Sequence, residues 1–443
     1  MISARSRPSA TPARRAPATR PATAAPALAL ALSVVLAALC ILGVVMVGSA
    51  SSVVSVNYYG SPWAILLREC LWLLVGIVVF LVAAGRQPEA LHRLAVIGTF
   101  ASIALLVVVL APGLGTSSFG ASRWLGYGLV RIQPSEIAKL AICLYAAHVI
   151  AKKERVEREW GRVLRPLAIV TALSAVLVLA QPDMGTAVVL VAIALAVATA
   201  AGAPWRALIA TIGMLALASV LAAVALPYRR ARLLAFLDPR ANQATTNYQL
   251  LQSKIGIGTG GVSGLGLGNS REKWGLLPNP HTDFIFSIIG EELGLVGALL
   301  VLGLLVALVL LGLRVAVRAP DRFSQLLAVG ISTWLAVETI VNVGAVAGVL
   351  PITGIPLPFI SFGGTSLVID MAAVGVLVGI ARRAATRPAL RVVRPATRTE
   401  KPTAARRAPQ RGSSQLGARP APARASDPRR GHARREPRNA RHR

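Results

Sequence analysis

PNPHTDFIFSIIGEEL, residues 278–293, carries the decision on fold. A polar loop ends there, apolar sequence follows, and two glutamates come about two helical turns later. In water this would be an ordinary helix start with Thr282 or Asp283 as its cap. At a membrane surface the same residues mean more, because a carboxylate inside hydrocarbon costs several kcal/mol unless it is paired or used.

The composition selects the membrane. Of 443 residues 55% are hydrophobic and 15% charged, which fits neither a water-soluble globule nor a disordered chain. Spans need roughly 17–25 apolar residues. Ten runs are candidates: Ala25–Val47, Trp63–Ala84, Leu94–Ala111, Pro134–Ala151, Val163–Ala180, Thr186–Ala201, Ala207–Leu226, Phe284–Leu313, Leu326–Leu350 and Ser361–Ala381. The expected fold is therefore an all-α polytopic membrane protein of about ten helices, with a large extracellular loop, 227–283, between the seventh and eighth. The first run is too long for a cleaved signal sequence and no clear cleavage site follows it.

The formal charge of +29 suggests nucleic acid until the basic residues are located. Residues 1–26 hold five arginines and no acid; residues 381–443 hold nineteen Lys/Arg against three acids. Both ends are rich in Pro, Ala, Arg and Ser, so 1–24 and 384–443 read as disordered tails. Such tails suit anionic lipid headgroups or a docking partner, not nucleic acid, which would require aromatic interleaving or a known module. Short loops such as KKERVEREWGR are basic, while SSVVSVNYYGSP, QPDMG and PITGIPLPFI contain no Lys or Arg. That bias places both termini in the cytoplasm. Cys40, Cys70 and Cys143 stand in apolar runs without metal-like spacing and read as packing residues.

Few ionisable groups interrupt the spans, so each is informative. Glu136 and Lys139, three apart after Pro134, can neutralise each other as a structural pair or form a polar wall. Glu291 and Glu292 point about 100° apart and are not expected to serve one site. Glu338 and Asn342 share a second polar face, and Asp370 stands alone on the last span. The long loop is basic (Arg229, Arg230, Arg232, Arg240, Lys254, Arg271, Lys273), which suits an anionic ligand. Its glycine run, GIGTGGVSGLGLG at 256–268, lacks the flanks of a nucleotide-binding loop. It reads as a re-entrant or tightly turned segment, with diphosphate contact as the alternative. No nucleophile set, metal cluster or carboxylate pair emerges. From chemistry alone Asp283, with His281 two residues away, is either a helix cap or a general base for a substrate held in the bilayer.

Five stretches in order, SRWLGYGLVRIQPSEIAKL (122–140), QPDMGTA (181–187), YQLLQSKIGIGTGGVSGLGLGNSREKW (248–274), LPNPHTDFIFSIIGEELGLVGA (277–298) and LPITGIPLPFISFGGTSL (350–367), strongly resemble the FtsW/RodA family. The likeness runs from about Ala25 to Arg383 and looks closer to the division branch, FtsW. Its departures, IQPSE for FQPSE and NPHTDF where a glutamate often precedes the histidine, touch no proposed reacting group.

The resemblance implies a peptidoglycan glycosyltransferase that polymerises lipid II on the outer face of the plasma membrane. It also implies a class B penicillin-binding protein and other divisome proteins as partners, and a septal location. The family's essential carboxylate falls on Asp283, and the substrate-binding candidates are Glu136, Lys139, Arg123, Lys273, His281 and Ser361. The substrates would be lipid II and a polyprenyl-diphosphate-linked glycan. Basic side chains, among them Arg123, Lys139, Arg271 and Lys273, or a divalent cation such as Mg²⁺ or Mn²⁺, would neutralise the leaving diphosphate; no organic cofactor is expected. The alternatives are a lipid II flippase, suggested by short spans broken at QPDMG but weakened by the lack of an internal repeat, and a RodA-type elongation polymerase. A scaffold that recruits the synthase would explain the tails but not the buried charges.

Overall fold

The computed structural model describes residues 24–112, 115–118, 121–126, 131–153, 160–206, 209, 213 and 247–386. Most of the expected seventh span, the loop arginines 229, 230, 232 and 240, and both tails lie outside the described residues. The helices are α1 (Ala24–Tyr59), α2 (Ala64–Gly85), α3 (Pro88–Val108), α4 (Pro134–Lys153), α5 (Trp160–Ala180), α6 (Met184–Ala200), α7 (Tyr248–Gly260), α8 (Ile285–Arg318), α9 (Arg322–Val346) and α10 (Gly364–Thr386). Eight of them are long and apolar enough to cross a membrane; α6, with 17 residues, is a shorter apolar helix, and α7 has 13 residues. This is a multi-pass membrane protein.

Nine of the ten apolar runs are seen as helices. The first runs well past its expected end at Val47, to Tyr59, absorbing serines that had read as loop. Ser49 Oγ makes a tertiary bond to Glu292 at 2.7 Å, and within the helix Ser52 Oγ donates back to the Ser49 carbonyl at 2.9 Å. Between α3 and α4 the connecting segment adds a hairpin, β1 (Gly115–Ser118) against β2 (Ala121–Leu125), antiparallel with a bulge. Asp183 caps α6 by accepting from Thr186 N at 3.0 Å, and Asp321 caps α9 by accepting from Ser324 N at 2.9 Å.

Helix α10 is the axis of the bundle and is almost wholly buried, whereas α2 and α3 face outward. On α2, Leu67, Leu71, Leu74, Val78 and Leu81 form one exposed stripe at helical spacing, as lipid contact requires. The opposite side of α2 meets α10 through small residues. A Cβ on Gly375 would stand 2.6 Å from Phe80 O, and one on Gly379 2.7 Å from Ala84 O. Association of helices in lipid rests on such close backbone approach.

Two sets of helix ends define the faces. Arg322 donates to Ala201 O at 3.1 Å, Arg383 to Arg86 O at 2.7 Å, and His92 and His148 meet with Nδ1 atoms 2.9 Å apart. These bonds gather the ends of α2, α4, α6 and α10 and the starts of α3 and α9 into one basic face. The other face gathers the starts of α4, α6, α8 and α10.

Candidate functional site

Three segments meet at that second face. Asp283 lies just before α8, and the cap position falls on Phe284, which makes no side-chain cap bond. Thr282 and Asp283 therefore precede the cap position assigned to them from sequence; aromatic Phe284 is buried, which draws the helix start inward. Asp283 is half-buried and its Oδ2 faces the loop 351–363, where a Cβ on Gly354 would be 3.5 Å away. Gly354 has φ +76°, a conformation that a side chain would strain.

The backbone around Asp283 is held from two sides. Asn342 on α9 donates through Nδ2 to Asp283 O at 3.0 Å and to Ile355 O at 2.8 Å. Ser361 donates to Thr282 O at 2.7 Å while accepting from Leu357 N at 2.8 Å. His281 accepts at its carbonyl from Phe362 N at 2.9 Å, and its ring tilts against that of Phe362. The ring is buried, and burial lowers its pKa to about 4, so it is neutral at physiological pH.

One turn along α9 from Asn342, Glu338 meets Lys139 of α4. Lys139 also pairs with Glu136 at 2.6 Å and lies over the Trp334 ring at 4.8 Å. All three charged residues are almost fully buried. The pair expected from the spacing within α4 is thus present, and Glu338, 199 positions from Lys139, completes it without any local signal. A cation between two carboxylates inside a membrane is the arrangement that makes such burial tolerable. Asp183, at the start of α6, takes hydrogen bonds from Ser135 and Gln133, each at 3.4 Å, tying α6 to α4.

Other candidates are committed to structure. Arg123 on β2 donates through Nε to Gln181 O at 2.8 Å and through Nη2 to Pro182 O, holding the QPDMG turn. Lys273 is buried, donating to Gly268 O at 2.5 Å and lying 3.4 Å from Glu292. The structure thus gathers His281, Asp283 and Ser361 at one place and Glu136 with Lys139 at a second, which Asn342 and Glu338 join along α9. Arg123 and Lys273 belong to separate networks.

The glutamate pair overturns an expectation. Glu291 accepts from Ser270 Oγ and from Arg271 N at 2.9 Å, while Glu292 accepts from Ser49 Oγ at 2.7 Å and Ser270 N at 3.3 Å. Both therefore serve the segment 270–273, because that segment wraps across two sides of α8 instead of meeting one. α8 also breaks at Gly294, φ +67°, and the glycine run fills the break. Leu265 N and Gly266 N donate to the Glu291 and Glu292 carbonyls, and Leu295 N and Val296 N donate to the carbonyls of Gly261 and Val262. In a bilayer every freed backbone group needs such a partner. Residues 256–260 of the run close α7, and the remainder, 261–268, is the tightly turned segment expected from its composition.

Buried charge on α4 and α9 beneath a half-exposed aspartate defines an integral membrane protein with an active-site-like rim on its less basic face. The chain belongs to the FtsW/RodA/SpoVE family: the family model described as cell cycle protein matches residues 30–386. A probable peptidoglycan glycosyltransferase FtsW of Mycobacterium tuberculosis is 38% identical over 348 residues, covering 79% of this chain and 66% of the relative. This chain thus spans just under two thirds of the mycobacterial protein. A relative of the same description from Geobacter metallireducens is 36% identical, covering 78% and 92% respectively. Among solved structures, a chain from work on the coordination of polymerization and crosslinking by a peptidoglycan synthase complex matches with TM-score 0.66 and 30% identity. The match covers 80% of this chain and 98% of that one. The rod shape determining protein RodA of Thermus thermophilus matches with TM-score 0.59 and 28% identity, covering 79% and 95%.

Proposed function

We infer that this protein is a peptidoglycan glycosyltransferase that polymerises lipid II during septal synthesis, with Asp283 as its general base. One observation carries the choice of residue. Glu136, Asp183, Glu272, Glu291, Glu292, Glu338 and Asp370 are all buried, and Asp283 is the carboxylate of the described cluster that reaches the surface. A base must touch both substrate and an exit for its proton.

In the reaction the 4-hydroxyl of the N-acetylglucosamine of lipid II attacks the anomeric carbon of the growing glycan. Asp283 takes the hydroxyl proton as the new C–O bond forms and the bond to the polyprenyl diphosphate breaks. Inversion follows from a single displacement and needs no covalent intermediate. The N-terminus of α8, one residue on, favours the ionised form of the base. Divalent cations such as Mg²⁺ are held by one or two carboxylates together with substrate phosphate oxygens; Asp283 supplies one, and among the described residues no group of three acidic, His or Cys side chains forms a cage. Bound there, Mg²⁺ or Mn²⁺ would neutralise charge on the leaving diphosphate.

We assign the plasma membrane as the location, a class B penicillin-binding protein as the crosslinking partner alongside other divisome proteins, and anionic lipid as the contact of the basic tails. The similar chain from a synthase that both polymerises and crosslinks supports the partner, and relatives named FtsW support the septal setting.

Purified protein given lipid II, with and without the partner, should form glycan polymer on a gel. Asp283→Asn should lower the rate by about 10²–10⁴-fold. Wild-type polymerisation by Asp283→Asn would remove the base assignment. Labelled lipid II crossing vesicle membranes with no polymer under any condition would establish the flippase instead.

A further inference from the structure

We propose that Asn342 is the positioning residue of the reaction: a single carboxamide that sets both the aspartate and the wall its carboxylate faces. The proposal rests on the reading of Asp283 as the base. Asn342 is 3% exposed, and its Nδ2 makes two donations to carbonyls from different segments, Asp283 O at 3.0 Å and Ile355 O at 2.8 Å. Ile355 follows Gly354, the residue that faces Asp283 Oδ2. Aspartate and wall lie 71 positions apart in sequence, yet one nitrogen holds both, from a helix whose preceding turn is pinned to α4 through Glu338 and Lys139.

Among uncharged side chains only an amide can donate twice in this way. Two N–H groups on one planar nitrogen can donate to two carbonyls; a hydroxyl offers one donor and a carboxylate none. Ser361 secures the neighbouring Thr282 carbonyl but does not reach that of Asp283. Asn342 touches no reacting atom in this scheme, so its effect should fall on the chemical step. Misplacement of a reacting group by about 1 Å can cost 10²-fold in rate.

The test compares wild type, Asn342→Asp, Asn342→Gln, Asp283→Asn and the double variant Asp283→Asn/Asn342→Asp, purified with the partner synthase and given lipid II. The expected order of kcat is wild type, then Asn342→Gln, then Asn342→Asp with a loss of about 10²-fold, while KM for lipid II stays within about threefold. The double variant should be no slower than Asp283→Asn alone, because a base that is absent cannot be misplaced. Wild-type kcat in Asn342→Asp, or a loss appearing in KM alone, overturns the proposal. Additive losses in the double variant overturn it as well. Should Asn342→Asp fail to give a folded peak on size exclusion, Asn342→Gln decides: lowered kcat with unchanged lipid II binding supports the proposal, and wild-type kcat ends it. An active Asp283→Asn would remove the base reading itself, a result distinct from all of these.

Discussion

His281, two residues before the base, shows how burial sets chemistry at the site. Its ring is buried and its Nδ1 makes no hydrogen bond, so a positive charge there would lose its water and gain nothing. Burial lowers its pKa to about 4, while in the unfolded chain it titrates near 6.5. As pH falls below about 6.5 the unfolded state gains a proton that the folded state refuses until about 4. The neutral histidine's contribution is thus complete above 6.5 and is lost toward 4, by up to about 3 kcal/mol. Glu272 works in the opposite sense. Burial first, then the Glu291 carboxylate, raise its pKa to about 7, so its folded form keeps a proton that the unfolded form releases, and stability falls as pH rises from about 4.5 to 7. The overlap makes a bare pH profile ambiguous, but a subtraction isolates the histidine. The difference in Tm between wild type and His281→Phe should change with pH only between about 6.5 and 4. A difference that stays constant across that window would mean the ring is hydrated in solution. At this scale the sequence revealed partners close in the chain, such as Glu136 with Lys139, and concealed distant ones, such as Glu338 and Asn342, because nothing local encodes a contact between two helices.

The elements repeat that division. Hydrophobic length identified nine of the described helices, since lipid imposes a length that composition must match. It did not reveal that α8 breaks at Gly294, because a single glycine between Leu293 and Leu295 reads as ordinary apolar helix. The signal was present in another place, in a glycine run whose purpose becomes visible only when its backbone meets that of α8. Gly264 tests this. Its φ is +80° and a Cβ there would overlap the Glu292 carbonyl, so Gly264→Ala incurs both backbone strain and a displaced strut. The expected cost is about 1–3 kcal/mol. Gly258, within α7, has open space around its Cα, so Gly258→Ala should be neutral or slightly stabilising. Thermal unfolding of the two detergent-purified variants should separate them. Equal Tm values would show that the run does not pack as described.

The whole molecule turns on which face is which. The ends gathered by Arg322, Arg383 and the His92–His148 contact also carry Arg86, Arg93, Lys152, Arg206 and Arg318, whereas Asp183 and Asp283 mark the opposite face. A surplus of Lys and Arg marks the cytoplasmic side, so the aspartate rim is expected to face outward. Helix α1 begins and α10 ends at the basic face, so both termini should be cytoplasmic. The chain leaves Ala201 at the basic face and returns at α7, where Ser253 donates to Val346 O and Ser287 to Ser253 O at the other. Alkaline phosphatase, active only outside the cytoplasmic membrane, can report these sides. Fused after Trp274 it should be active; fused after Arg206 or Thr386 it should be silent, while a green fluorescent protein fused after Thr386 should fluoresce. Activity after Thr386 would reverse the C-terminus and, with it, the outward placement of Asp283 on which the proposed chemistry depends.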